Sequence, residues 1–195
     1  MTVSDADRWN DRYSNAVAPN SITPPEIVAS QLASLHPGAR ALDVACGWGD
    51  AGLFLAALGA TVTLVDVSSE AIATVQARVL ETGGRIETVV SDLTSEPVPN
   101  GPWDAITCVH YLDRGLLPRL GHTLSKGGLL VVAVATTTNL ERHDRPSSRF
   151  LLEPNELPTL VPDLKTIHHS ETWRANGSHE AWLVASPASP PSVHG

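Results

Sequence analysis

The chain has 195 residues, 42% of them hydrophobic, enough for one domain to bury a core without a metal or disulfide staple. A formal net charge of −8, with 13 Lys and Arg in no basic run, argues against a protein that captures nucleic acid through its phosphates and leaves a small molecule as the better partner. Apolar stretches such as residues 127–135 fall short of the roughly 20 residues of a membrane helix, and MTVSDADRWNDRY is too polar for a signal peptide. The expectation is a cytoplasmic protein with no membrane partner, in which Cys46 and Cys108, each within an apolar run, are reduced buried thiols.

Along the chain, Thr23-Pro24-Pro25-Glu26 predicts a helix start, with Thr23 as cap and Pro24 at the first position, running to about Leu35. ALDVA then reads as a strand, followed by a Gly-rich turn and a helix ending at Gly59. ATVTLVD is a second strand, with Ser68 capping a helix over 69–82 before the Gly83-Gly84 stop, and RIETVVS is a third. WDAITCV is the fourth, Arg114 to Leu124 a helix that tolerates Pro118, Lys126-Gly127-Gly128 a turn and LLVVAVAT the fifth strand. The remaining strands, LKTIHHSETW and HEAWLVAS, flank Ala175-Asn176-Gly177-Ser178, a strong hairpin signal. The predicted fold is α/β: a Rossmann-like, seven-stranded, mostly parallel sheet with helices on both faces and an antiparallel C-terminal hairpin. Residues 1–22 are read as an N-terminal lid segment, 23–186 as one domain, and 187–195, rich in Pro and Ser, as a disordered tail.

DVACGWGDAG places Gly47, Gly49 and Gly52 in G-x-G-x-x-G spacing between a strand and a helix, where backbone amides can approach a ligand closely. A tight turn alone would use the same glycines. Asp43, Asp66 and Asp92 sharpen the reading, because each lies at or near the carboxyl end of one of the first three strands, the edge at which open parallel sheets bind ligands. Asp66 follows Gly47 by nineteen residues, close to the spacing at which a carboxylate accepts from a ribose diol. The same fingerprint belongs to NAD(P)-dependent oxidoreductases, although a dinucleotide explains neither Asp43 nor Asp92-Leu93 nor the final hairpin.

Through ALDVACGWGDAG, TLVDVS, VVSDL, WDAITCVHYLD and LSKGGLL, residues 40–135 resemble the class I S-adenosylmethionine-dependent methyltransferases. A narrower likeness, through WNDRY, HYLDRGLLPRL and FLLEPNEL, is to the branch with the tellurite-resistance and thiopurine-type enzymes; the chain departs from it at Asp50-Ala51 and at His110. The resemblance implies that S-adenosyl-L-methionine is the cofactor and S-adenosyl-L-homocysteine its product. It puts Gly47 and Gly49 against the methionine moiety, with Asp43 near its amino group. Asp66 would take the ribose, and Asp92 and the Leu93 amide the adenine. Ala45, Val67, Val109, Trp9 and Tyr13 complete the expected cofactor-binding set, the N-terminal pair as part of a lid.

Methyl transfer is an in-line displacement on an already activated sulfonium, so the protein chiefly aligns the reactants and excludes water. His110 and Tyr111 follow the fourth strand and are the candidate catalytic residues, for proton removal or for orienting the acceptor. A non-catalytic S-adenosylmethionine-binding protein would carry the same cofactor residues. Arg142, His143, Arg145 and Arg149 read as a solvated loop. His168 and His169 point to opposite faces of a strand, so no metal is expected there.

Overall fold

The structure is a computed structural model that describes residues 4–82 and 85–188. Helices α1 (Asp5–Ser14) and α2 (Glu26–Leu32) precede β1 (Arg40–Val44), α3 (Asp50–Ala57), β2 (Thr61–Asp66), α4 (Ser69–Thr82) and β3 (Arg85–Val90). Then come β4 (Trp103–Val109), α5 (Leu116–Gly121), β5 (Leu124–Ala135), three short 3₁₀ turns, β6 (Leu164–Trp173) and β7 (His179–Pro187). The sheet has seven strands in the order β3-β2-β1-β4-β5-β7-β6. Strands β1 to β5 run parallel, and β7 is antiparallel to both β5 and β6, as the predicted hairpin requires.

Alternation along the strands feeds two apolar layers. On one face Leu42, Ile106, Leu130 and Leu183 pack with Leu116, Leu117 and Leu120 of α5. On the other, Ala41, Val62, Ala105 and Val131 pack with Ile27, Val28 and Leu32 of α2 and Leu55 of α3. Each fully buried leucine or isoleucine in these layers contributes about 2 kcal/mol. Chain direction across the sheet reverses between β1 and β4, so their carboxyl ends open a crevice at the switch point.

The structure departs from the predicted elements in three places. α2 begins at Glu26, with Pro25 as its cap and no side-chain cap bond, rather than at Pro24 behind Thr23; a residue that precedes proline is held out of the helical region, and both Thr23 and Pro24 do so. α5 is shorter than the predicted 114–124 helix, starting where the Asp113 side chain accepts from the Leu116 amide at 2.6 Å. Lys126-Gly127-Gly128 is a bulge inside β5, where the register steps from Trp103↔Leu124 to Ala105↔Leu129 and Gly127 has a φ of 82°. Glycine is needed beside it because a Cβ on Gly128 would meet the Trp103 carbonyl oxygen at 2.5 Å.

β7 runs through Pro187, and residues 189–195 of the expected tail lie outside the described residues. No described helix is long and apolar enough to cross a membrane.

Candidate active site

Four strand ends and the first helix enclose a cleft of about 330 Å³. Its floor is the loop from Val44 to Trp48, its sides carry Asp43, Asp66 and Val67, then Asp92 and Leu93, then Val109 to Tyr111, and α1 lies over the top through Asp5, Trp9, Arg12 and Tyr13. Every residue assigned from the sequence to the cofactor or to catalysis lines this one cleft except Gly49. Gly49 caps α3 at a φ of 79° and stands behind the cleft, where a Cβ would press on Val75 at 2.9 Å and Leu64 at 3.0 Å. It is required by the turn and the packing below it.

Asp43 lies within the buried stretch of β1, one residue from its end. Its Oδ2 accepts the Gly52 amide at 2.9 Å and its Oδ1 the Thr107 hydroxyl at 2.7 Å, tying the Gly-rich loop and β4 to one carboxylate. Burial pushes its pKa up to about 6, despite those two hydrogen bonds. Asp66 accepts the Gly47 amide on Oδ2 and the Ser68 amide on Oδ1, both at 2.9 Å, and burial raises it as well. Each oxygen retains a second lone pair for a ligand hydroxyl. Asp92 turns its chain at the end of β3, its Oδ1 accepting the Thr94 amide at 3.0 Å and hydroxyl at 2.6 Å. Cys46 lines the cleft, but burial and the charges of Asp43 and Asp66 push its thiol well up, which disarms it as a nucleophile.

α1 is amphipathic with no buried residue of its own. Ser4 caps it by accepting the Asp7 amide at 3.1 Å, and Asn10 pins it to the start of α4 by accepting the Ser68 hydroxyl at 2.8 Å. Trp9 stacks on Tyr13 at 6.0 Å, and Tyr13 meets Trp48 edge-on at 5.9 Å, so an aromatic row spans from the helix to the Gly-rich loop. Arg12 lies over the Trp9 ring at 4.9 Å. Burial, reinforced by Asp66, pushes the Tyr13 hydroxyl to about 12, keeping it a neutral hydrogen-bonding group.

At the far end His110 leaves β4 with a φ of 58° while its amide still donates to the Ala133 carbonyl at 2.7 Å. Its Nε2 lies 3.1 Å from Oε1 of Glu180, a carboxylate only 4% exposed on β7. Ser178 Oγ donates to the same oxygen at 2.6 Å and Trp182 Nε1 to the other at 2.9 Å. Burial pulls the Glu180 carboxyl up, but the hydrogen bonds from His110, Ser178 and Trp182 outweigh it and hold it at about 2. Burial, with Asp113 beside it, raises the Tyr111 hydroxyl, so Tyr111 presents a neutral O–H to the cleft.

Glu180 was not legible as a site residue, its single signal being an acid inside the apolar run of the last strand. Arg78 was also missed. From the middle of α4 it donates to the carbonyls of Trp48 and Ser21, the latter at 3.0 Å, and to Asp50 Oδ1 at 2.8 Å, clamping the Gly-rich loop from outside. The four residues of the long loop do not enter the cleft: Arg142 stacks on Trp173 at 3.8 Å, Arg149 on Phe150 at 4.4 Å, His143 meets the Gly177 carbonyl at 2.8 Å, and Arg145 is exposed.

Residues 41–128 match the model of a methyltransferase domain. The chain is 28% identical over 188 residues to a ubiquinone biosynthesis O-methyltransferase of Xanthomonas campestris pv. campestris, covering 91% of this chain and 74% of that protein. Among the solved structures that share its fold are two that it covers well. TehB from Haemophilus influenzae superposes with a TM-score of 0.74 at 20% identity, covering 92% of this chain and 67% of TehB. Magnesium protoporphyrin IX methyltransferase from Synechocystis, solved with bound S-adenosylhomocysteine, superposes with a TM-score of 0.69 at 20% identity over 93% of both chains.

Proposed function

The chain belongs to the class I S-adenosylmethionine-dependent methyltransferases, and we propose that it moves the methyl group in line onto a small-molecule acceptor held beside His110 and Tyr111. The observation that carries this reading is the row of Asp43, Asp66 and Asp92 along one cleft at the switch point of the sheet. That donor set suits a ligand with a sulfonium and an ammonium charge, whereas a pyrophosphate would meet like charge at every strand end.

In this proposal Ala45 and Gly47 admit the methionine moiety, and Asp43 holds the field that its ammonium group meets. Asp66 and Val67 receive the ribose, Asp92 and the Leu93 amide the adenine. Trp9 and Tyr13 cover the bound nucleoside as a lid, and Val109 closes the wall toward the acceptor. S-adenosylmethionine supplies a methyl carbon on positively charged sulfur, which bonds to the acceptor atom as the carbon–sulfur electron pair stays on sulfur. The chain's part is to exclude water with α1, to align the acceptor with the Tyr111 hydroxyl and the His110 imidazole, and to take up any proton released. A small-molecule acceptor is supported by the name of the curated relative, an O-methyltransferase of ubiquinone biosynthesis.

Calorimetry tests the cofactor site. Micromolar binding of S-adenosylhomocysteine, no binding of oxidised or reduced nicotinamide dinucleotides, and a loss of about a hundredfold or more in Asp66→Ala are expected. Dinucleotide binding, or undiminished S-adenosylhomocysteine binding by the variant, would overturn the assignment.

A further inference from the structure

Glu180 has no structural need to be an acid. Its neighbours on the same side of β7 are Trp182 and Val184, and a residue of that kind would fill its place without placing a charge out of water. Instead, three donors from three residues converge on its two oxygens, and one of them is the nitrogen of a histidine whose side chain is 61% exposed at the cleft. An ionised carboxylate can only accept, so the 3.1 Å contact requires the proton of the neutral imidazole to sit on Nε2. The lone pair is then on Nδ1.

We propose that Glu180 is a positioning residue which locks His110 as the Nε2–H tautomer with Nδ1 free to take a proton, and that the methyl acceptor is accordingly one whose nucleophilic atom still carries its proton when it binds. This deepens the function proposed above and rests on it. A base so held serves only an acceptor that still carries its proton. The bond between the acceptor atom and its proton breaks, the electron pair stays on the atom that gains the methyl group, and the proton goes to Nδ1 of His110. The imidazolium so formed is compensated by Glu180, and the proton afterwards leaves to water through the exposed side of the ring. Ser178 and Trp182 hold the carboxylate in place while this happens, and Arg174, stacked on Trp182 at 3.4 Å, braces that ring from behind. Strand β5 separates β4 from β7, so the pair is made by the fold rather than by chain neighbours.

The first readout needs neither turnover nor a known acceptor. Nitrogen-15 NMR of the full chain bound to S-adenosylhomocysteine is expected to show His110 as the Nε2–H tautomer, and Glu180→Met is expected to release it into a tautomer mixture. A wild-type ring protonated on Nδ1 with Nε2 bare overturns the inference. The second readout compares catechol, which keeps its proton at neutral pH, with thiophenol, which is already ionised. Glu180→Gln should lower kcat for catechol about a hundredfold with little change in the KM for S-adenosylmethionine, and leave thiophenol turnover nearly unchanged. Equal loss on both acceptors, loss in KM alone, or wild-type methylation of neither overturns it. Binding of S-adenosylhomocysteine keeps the two proposals apart: its failure in the wild type removes the function, whereas normal binding with the wrong tautomer removes only the role of Glu180.

Discussion

The hydroxyl of Tyr13 sits so close over Gly47 that a Cβ on Gly47 would stand 2.6 Å from its oxygen. Gly47 has a φ of 54° as well, so a side chain there is both strained and blocked. Gly47→Ala is therefore expected to push Tyr13 and α1 off the cleft, weakening S-adenosylhomocysteine about tenfold or more. In the double variant Gly47→Ala/Tyr13→Ala the clash is gone and only the backbone strain remains, so the two losses should be less than additive. Calorimetry on the four proteins measures this; strict additivity would mean that the two residues do not meet.

Asp43 makes stability fall with rising pH. Its carboxyl ionises near 3.8 in the unfolded chain and near 6 when folded, so between those values the folded state binds the extra proton. The stability it gives is complete below the lower value and is lost as pH rises through the upper one, by about 3 kcal/mol. Asp43→Asn keeps the shape, can still accept the Gly52 amide, and should flatten that slope while gaining about 1 kcal/mol at pH 7.5. It should also weaken S-adenosylhomocysteine about tenfold. Urea unfolding at pH 4.5 and 7.5 reads the slope, and an unchanged slope in the variant would refute the assignment to Asp43.

Glu180 acts with the opposite sign. Held at about 2 against an ordinary 4.5, it contributes stability that is fully present above the ordinary value and is lost as pH falls toward 2. Glu180→Gln is expected to cost about 2 kcal/mol at pH 7 and to lose part of the acid sensitivity seen below pH 4.5 in the wild type. Thermal unfolding across pH 3 to 7 distinguishes this from a variant that is uniformly destabilised.

Arg78 joins the Gly-rich loop, the segment before α2 and α4 through one guanidinium. Arg78→Met retains the stem and removes every donor, and about 2 kcal/mol of stability should go with them. The looser Trp48 carbonyl should also let S-adenosylhomocysteine dissociate faster, visible as a higher off-rate with the on-rate little changed. A variant with native off-rate would show the clamp to be structural only.

Periodicity placed the strands correctly, since a parallel sheet buried on both faces leaves near-continuous apolar runs such as TVTLVD, and the acids that interrupt those runs at their ends marked the cleft. Asp43, Asp66 and Asp92 were readable because each stands at a strand end whose position the local pattern already sets. Glu180 was not, because its meaning depends on β7 passing beside β5 opposite the end of β4, a contact across seventy residues of sequence. Gly49 shows what spacing alone leaves out: the φ of 79° and the Val75 side chain behind it give the turn its own need for glycine there. The Lys126-Gly127-Gly128 bulge was invisible for a related reason, because glycines signal a departure from regular backbone without saying whether the strand stops or only steps.

The order of strands also sets a length. Asp66 ends β2 and His110 follows β4, with β1 between them, so two strand spacings, about 10 Å, separate the carboxylate proposed to hold the sugar from the imidazole proposed to meet the acceptor. An inhibitor made by tethering adenosine to an acceptor analogue must bridge that gap through the narrow floor over Ala45 and Gly47, where a branched or bulky linker meets backbone. A straight chain of thioether or amine links fits both requirements, and its optimal atom count would act as a ruler for the distance between the two half-sites.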